Sequence, residues 1–210
     1  MRTWTADDPK AGLMDRKRKV IIEAALTAFL GDGYAGSSVN RIAENAGVSI
    51  KTLYRHFDNK DDLFVAVIQT ACTANPGAEE PSWLDLPPLE GLTQAGGDHL
   101  PFILSAQQLA LYRVVTREAQ RFPELGKRYQ SEVVGDRIAQ LTRYFDRWPD
   151  SLRSKIRDPQ RAARTFGALL QVDLLETALL GGLIPGPDEL RTRAHEAAAG
   201  LLALIDADLI

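Results

Sequence analysis

The stretch VNRIAENAGVSIKTLYRHF, residues 39–57, decides the fold. Val39, Ile42, Ala43 and Ala46 recur at helical spacing up to Gly47. Val48 follows in the turn, Ser49 is placed to cap a new helix, and Leu53 and Phe57 repeat at i, i+4. Ile42, Val48, Leu53 and Phe57 read as core. Two short amphipathic helices pivoting on a glycine predict a helix-turn-helix, whose second helix lies in the DNA major groove.

Upstream, Met1 to Asp15 has no sustained periodicity and is expected to be a flexible arm. Arg16-Lys17-Arg18-Lys19 opens a helix whose apolar stripe is Val20, Ile21, Ala24, Ala25, Ala28 and Phe29. Gly31-Asp32-Gly33 should stop it, because glycine adopts the left-handed conformation found past helix ends. Tyr34 follows as an anchor. Ser37 or Ser38 is placed to cap the second helix and Asn59 the fourth, where Asp61 and Asp62 suit the positive end of the helix dipole.

Downstream, Asn75-Pro76-Gly77, Pro81 and Pro87-Pro88 mark an irregular connection over 73–88. A weak helix is expected over 89–104, broken or kinked at Gly96-Gly97 and Pro101. Stronger helices are expected over 106–121 and 124–148. A long apolar helix capped by Asp158 should run to Leu180, and a last one from Leu190 to Ala207. No stretch alternates as a strand would, so the fold is expected to be all-α.

Of the 210 residues, the first sixty hold ten Lys/Arg and seven Asp/Glu; the rest hold fifteen and twenty-one. Basic charge therefore gathers at the helix-turn-helix although the net charge is −3. A local basic face can bind phosphates while an acidic remainder keeps the chain soluble. No apolar run is long enough for a membrane span and no signal peptide is visible. With the single Cys72, this suits a cytoplasmic protein. His99 and His195 stand alone, so neither a metal nor another cofactor is expected. Glycine-rich phosphate loops, histidine–carboxylate metal motifs and nucleophile elbows are all absent, which argues against an enzyme.

These residues resemble the TetR family of bacterial regulators. The resemblance lies in Gly33-Tyr34, Ser37-Ser38-Val39, the run Ile42 to Ser49, Thr52 to Phe57, and Lys60 with Leu63. Arg113 to Glu118 and Phe122-Pro123-Glu124-Leu125 resemble the C-terminal domain of AefR-like members. The resemblance implies an all-helical, two-fold homodimer. Its DNA-binding domain would cover 16–60, and its ligand-binding and dimerisation domain 61–210, with the helix at 60–72 as a bridge. The usual action implied is repression of a palindromic operator, relieved by a small molecule. By position, Ser38, Asn40 and Arg41 would face DNA, Ile50, Lys51 and Thr52 would meet base edges, and Tyr54, His56 and Lys60 would hold phosphates. The chemistry agrees: lysine donates to guanine, Ile50 or Thr52 can pack on a thymine methyl, and hydroxyl and cationic groups suit phosphate oxygens.

In the C-terminal half, Phe102, Tyr112, Phe145, Trp148 and Phe166 are candidate walls of an apolar pocket, with Arg113, Arg117 and Gln171 as polar anchors. Each aromatic is equally well explained as plain core. The expected effector is small, apolar or aromatic, and at most weakly charged. Dimerisation is expected through 158–180 and 190–207, whose Ala162, Phe166, Leu169, Leu170, Leu174 and Ala178, then Ala194, Ala198, Leu201, Leu202 and Ile205, exceed what one partner helix needs. The alternative is a DNA-bound regulator controlled by a protein partner; a filled C-terminal core would favour it, and a cavity with convergent polar groups would favour the ligand.

Overall fold

The computed structural model describes residues 9–72 and 80–210. The expected arm at 1–8, the connection at 73–79 and the side chain of Cys72 lie outside the described residues. All regular structure among the described residues is helical. The chain forms two compact units, 1–73 with 110–130, and 74–109 with 131–210. Helix α4 and residues 110–130 thus pack with the helix-turn-helix, whereas the sequence reading divided the chain at residue 60.

In the first unit, α1 (Pro9–Gly36) starts at Pro9, so residues 9–15 are helical rather than an arm. Its helical geometry lapses only at Gly33, where φ is +72°. A Cβ there would stand 2.1 Å from the Arg117 guanidinium, so both the turn and the close approach call for glycine. Helices α2 (Val39–Asn45) and α3 (Ile50–His56) are joined through Gly47, at φ +63°. Ser49 caps α3 by accepting the Thr52 N–H at 3.1 Å. Asn59 caps α4 (Lys60–Cys72) by accepting the Asp62 N–H at 2.8 Å. Each such cap contributes about 1 kcal/mol. Ser38 occupies the cap position of α2 without a capping bond, and Ser37 Oγ instead donates to the Tyr34 carbonyl. Ile21, Phe29, Ile42, Leu53 and Phe64 are fully buried, with Phe57 nearly so; Val48 is only half-buried.

Two helical segments join this unit: α6 (Ala106–Ala119) from Ala110 onward, and α7 (Pro123–Tyr129). Phe122 packs edge-on to Tyr34 at 4.9 Å, and Arg128 pairs with Asp62 at 2.9 Å.

The second unit opens on a 3₁₀ turn (Ser82–Asp85) and α5 (Pro88–Ile103). Helix α5 is continuous through Gly96, Gly97 and Pro101, so of the expected kink or break the break does not occur. Gly96 lies flat under its neighbours: a Cβ would stand 2.7 Å from Leu170 Cδ2 and 3.0 Å from Ala194 Cβ. The glycine is a packing device here, not a helix breaker.

The helix expected over 124–148 is divided. After α7 comes a π turn (Gln130–Val134), then α8 (Gly135–Asp146). A π turn inserts one residue and leaves both flanks amphipathic, so periodicity does not reveal it. A short α9 (Asp150–Arg153) follows.

The long helix expected from Asp158 to Leu180 is also two. Asp158 caps α10 (Pro159–Gln171) as expected, accepting the Arg161 N–H at 3.0 Å. The chain then leaves helical geometry at Val172 and turns left-handed at Asp173 (φ +63°) before α11 (Leu174–Leu179). Aspartate tolerates that conformation better than most residues. Arg193 of α12 (Pro187–Asp206) donates to the Val172 carbonyl at 3.4 Å.

The core here packs α5 against α12 and α10, burying Leu92, Leu100, Ala162, Phe166, Ala194 and Leu201. Trp83, Tyr144, Phe145 and Trp148 form an edge-to-face group, with ring centroids 4.9 Å apart between Phe145 and Trp148 and 5.4 Å between Trp83 and Tyr144.

The two glycines of α5 should separate in mutagenesis. Gly96→Val should destabilise the protein by about 1–3 kcal/mol through overpacking. Gly97→Ala, where a Cβ meets nothing within 4 Å, should stabilise it by roughly 0.5–1 kcal/mol. Urea unfolding of both variants reads the contrast.

Candidate functional site

The first unit presents the front of α3 to solvent. Ile50 is 38% and Tyr54 49% exposed, although both are large apolar-bodied side chains. Lys51 is exposed between them, and Thr52 is half-buried with its hydroxyl 2.9 Å from Ser49 Oγ. Asn40 and Arg41 are exposed on α2, where Arg41 lies 3.5 Å from Asp32. An ion pair so exposed is weak and leaves the guanidinium accessible to a phosphate. Ser38 is half-buried at the start of α2, its hydroxyl unused by the cap.

His56 and Lys60 are placed differently from the other seven. His56 Nε2 is buried without a hydrogen-bond partner. Burial, then Arg55, Arg18 and Lys17, lower the pKa of the imidazole. The Arg18 guanidinium also sits 5.3 Å from the Phe57 ring centre, so part of the basic run of α1 lies beside the end of α3. The Lys60 ammonium donates to the Ser37 carbonyl at 2.7 Å and stands 4.6 Å over the Tyr34 ring. Burial lowers its pKa, with the Glu118 carboxylate opposing. Lys60 is thus engaged inside the unit, fixing the link between α1 and α4.

A cavity of about 300 Å³ opens in the second unit. Trp83, Ala95 and His99 wall one side, Val134, Arg137, Ile138, Gln140 and Leu141 a second, and α10 from Ala163 to Gln171 a third. Of the eight ligand candidates, Phe166 and Gln171 line it. Phe145 and Trp148 are buried in the aromatic group, and Phe102 packs half-buried on the core. Tyr112, Arg113 and Arg117 belong to the first unit, where Tyr112 meets Tyr129 at 6.3 Å and Arg117 pairs with the buried Glu118 at 3.1 Å.

Sequence reasoning missed Arg137, Arg164 and His99. The available signal was an arginine standing inside the apolar stripe 134, 137, 138, 141. Burial, with Arg137 second, pushes the pKa of His99 down to about 3. Among the described residues no cluster of His, Cys, Asp and Glu could hold a metal ion, and no helix is long and apolar enough to cross a membrane.

A helix-turn-helix with an exposed, capped second helix, joined in one chain to a helical unit with a cavity, defines a DNA-binding regulator of transcription. The sequence profile of the bacterial regulatory proteins of the tetR family matches residues 21–67, and that of the AefR-like transcriptional repressor C-terminal domain matches 90–204. The chain belongs to the TetR family. The transcriptional activator FasR of Mycolicibacterium smegmatis is 40% identical over 55 residues, 26% of this chain and 25% of that protein. The chain thus spans about a quarter of the length of the curated relatives it matches. A TetR-family regulator from Mesorhizobium loti superposes with a TM-score of 0.72 at 26% identity, over 91% of this chain and 97% of that one. The flavonoid-responsive regulator FrrA superposes with a TM-score of 0.72 at 25% identity, over 90% and 95%.

The engagement of Lys60 changes what its removal should do. Lys60→Ala should cost roughly 1–2 kcal/mol of stability, from the lost hydrogen bond and cation–π contact. The slope of log affinity against log salt on duplex DNA should stay unchanged; a slope lowered by about one unit would return Lys60 to the phosphate contacts.

His99 gives a pH dependence. Its folded pKa lies below its unfolded value near 6.5, so its contribution is full above about pH 6.5 and is lost as pH falls toward 3. The loss should approach 1.4 kcal/mol per pH unit at most. His99→Gln should flatten stability between about pH 6.5 and 4 in thermal melts.

Proposed function

We propose that this protein is a homodimeric repressor of a palindromic operator, released by a small molecule held in the cavity of the second unit. The observation that carries the control half of this reading is the cavity: apolar walls with Arg137, His99, Gln140 and Gln171 converging on it. A filled core would have favoured control by a protein partner. The response of FrrA to flavonoids, as its name states, supports small-molecule control in a chain of the same fold.

Ile50, Lys51 and Thr52 read base edges, with Tyr54, Arg41, Asn40 and Ser38 toward the backbone. Residues at the N-terminal end of a recognition helix are best placed for this. Phosphate contacts fix register and Lys51 supplies discrimination.

Dimerisation runs through the α10–α12 region; of the residues the sequence suggested, Leu169, Leu174 and Leu202 are only partly buried and stay available to it. Ala162, Phe166, Leu170, Ala178, Ala194, Ala198, Leu201 and Ile205 are buried within the protomer. The surplus apolar surface is at Val172, Leu180, Leu183 and Ile184; Leu183 is 94% exposed. Such a patch suits a two-fold contact between copies.

For control, Phe122 and Arg128 hold Tyr34 and Asp62 in the first unit, and the same chain continues through the π turn into α8, whose Val134, Arg137 and Ile138 line the cavity. An effector that binds the DNA-competent and released conformations differently shifts operator affinity through this segment.

Selection of sites from random duplex DNA should recover a palindrome with half-sites about 34–36 Å apart or more. Lys51→Ala should cost roughly 1–3 kcal/mol on the best site and relax one base pair per half-site. Recovery of no palindrome, or an unaltered preference in the variant, would reject the reading.

A further inference from the structure

The cavity of the second unit differs in charge from the chain around it. The chain holds 28 acidic and 25 basic residues, yet no aspartate or glutamate lines the cavity. Its two charged residues are Arg137 and Arg164. Arg137 is half-buried on α8, and neither arginine makes an ion pair or hydrogen bond among the described residues. A partly buried cation beside apolar walls is costly unless something pairs with it. Two other arginines are paired: Arg128 with Asp62, and Arg147 with Glu80 and Asp85.

We infer that the cavity takes a compact apolar carboxylate, its anion held by Arg137 and its body lying against Trp83, Leu141 and Phe166. This deepens the effector reading above and rests on it. The planar guanidinium fork matches a carboxylate through two parallel hydrogen bonds. His99 is neutral at neutral pH and has one ring N–H to offer the anion, without adding a competing charge. Gln140 and Gln171 can donate to a second polar group. A volume of about 300 Å³ is at the small end for ligand sites, which fits one or two rings or a medium acyl chain. The expectation from sequence was an effector at most weakly charged, anchored at Arg113, Arg117 and Gln171; of these anchors Gln171 lines the cavity.

Isothermal titration of the full-length protein separates charge from shape. The probes are 2-naphthoate against 2-naphthamide, and decanoate against decanol, with 2-naphthyl phosphate as a third anion. Each carboxylate should bind at least about tenfold tighter than its uncharged partner, the usual range for a charge-assisted hydrogen bond. Arg137→Met should reduce that preference to within about twofold, the ratio of the acid to its uncharged partner being the quantity read. Arg137→Lys should restore part of it, and circular dichroism checks that both variants fold. Equal binding of acid and amide, an undiminished preference in Arg137→Met, tighter binding of the phosphate, or no binding by any probe would each overturn the inference. Operator binding measured in parallel separates the two levels. A carboxylate that binds without changing operator affinity leaves the cavity's ligand class standing and removes the effector role. An uncharged compound that releases the operator equally from Arg137→Met does the reverse.

Discussion

The Tyr34 ring is where the elements of the first unit meet. It packs edge-on against Phe64 of α4 and Phe122 before α7, tilts on Phe29 of α1, carries the Lys60 ammonium over its face, and donates its hydroxyl to Asp61. Aromatic pairs of this kind contribute about 0.5–1.5 kcal/mol each beyond their buried area. Their greater effect is geometric. A ring with fixed neighbours on several sides has one position, and it sets where α1, α4 and α7 stand. Gly33 makes this possible, because its left-handed backbone turns the chain just before the tyrosine and leaves room for Arg117 and Glu118. The recognition helix inherits that frame through Leu53 and Phe57, which are buried in the same unit.

The helix-turn-helix was legible because its signals are local. Gly47 needs its positive φ, Ser49 and Asn59 form the caps their positions suggest, and Leu53 and Phe57 face inward as their spacing requires. The second unit was legible as helices but not as boundaries. Gly96-Gly97 and Pro101 carry breaker chemistry, yet close packing of α5 on Leu170 and Ala194 outweighs it. The turn at Val172-Asp173 has no glycine or proline to announce it; the Val172 carbonyl it frees from the helix accepts from the Leu174 N–H and from Arg193. The internal engagement of Lys60 was not legible for a related reason. A lysine at a DNA-facing position and one bonded to the Ser37 carbonyl read alike in sequence.

The anchors of the cavity show the same limit. Arg113 and Arg117 share a helix with Tyr112 and looked like natural pocket residues. Which side of a helix faces which unit is a tertiary fact, and α6 passes from one unit to the other along its length. Arg137, on α8, lines the cavity. It interrupts an apolar stripe, where a charge is tolerated only for a reason.

The membership of residues 110–130 in the first unit bears on how such regulators can be recombined. The stretch falls inside the match to the C-terminal domain profile, 90–204, so a sequence alignment assigns it to that domain. A chimera joined in the connection after α4 would carry away Phe122, Glu118 and Arg128 and leave Tyr34, Lys60 and Asp62 with foreign partners. The DNA-reading head is therefore not a separable cassette. Its inheritance is discontinuous, and a transplanted head would keep these contacts only if the recipient supplied an aromatic at 122 and a cation at 128.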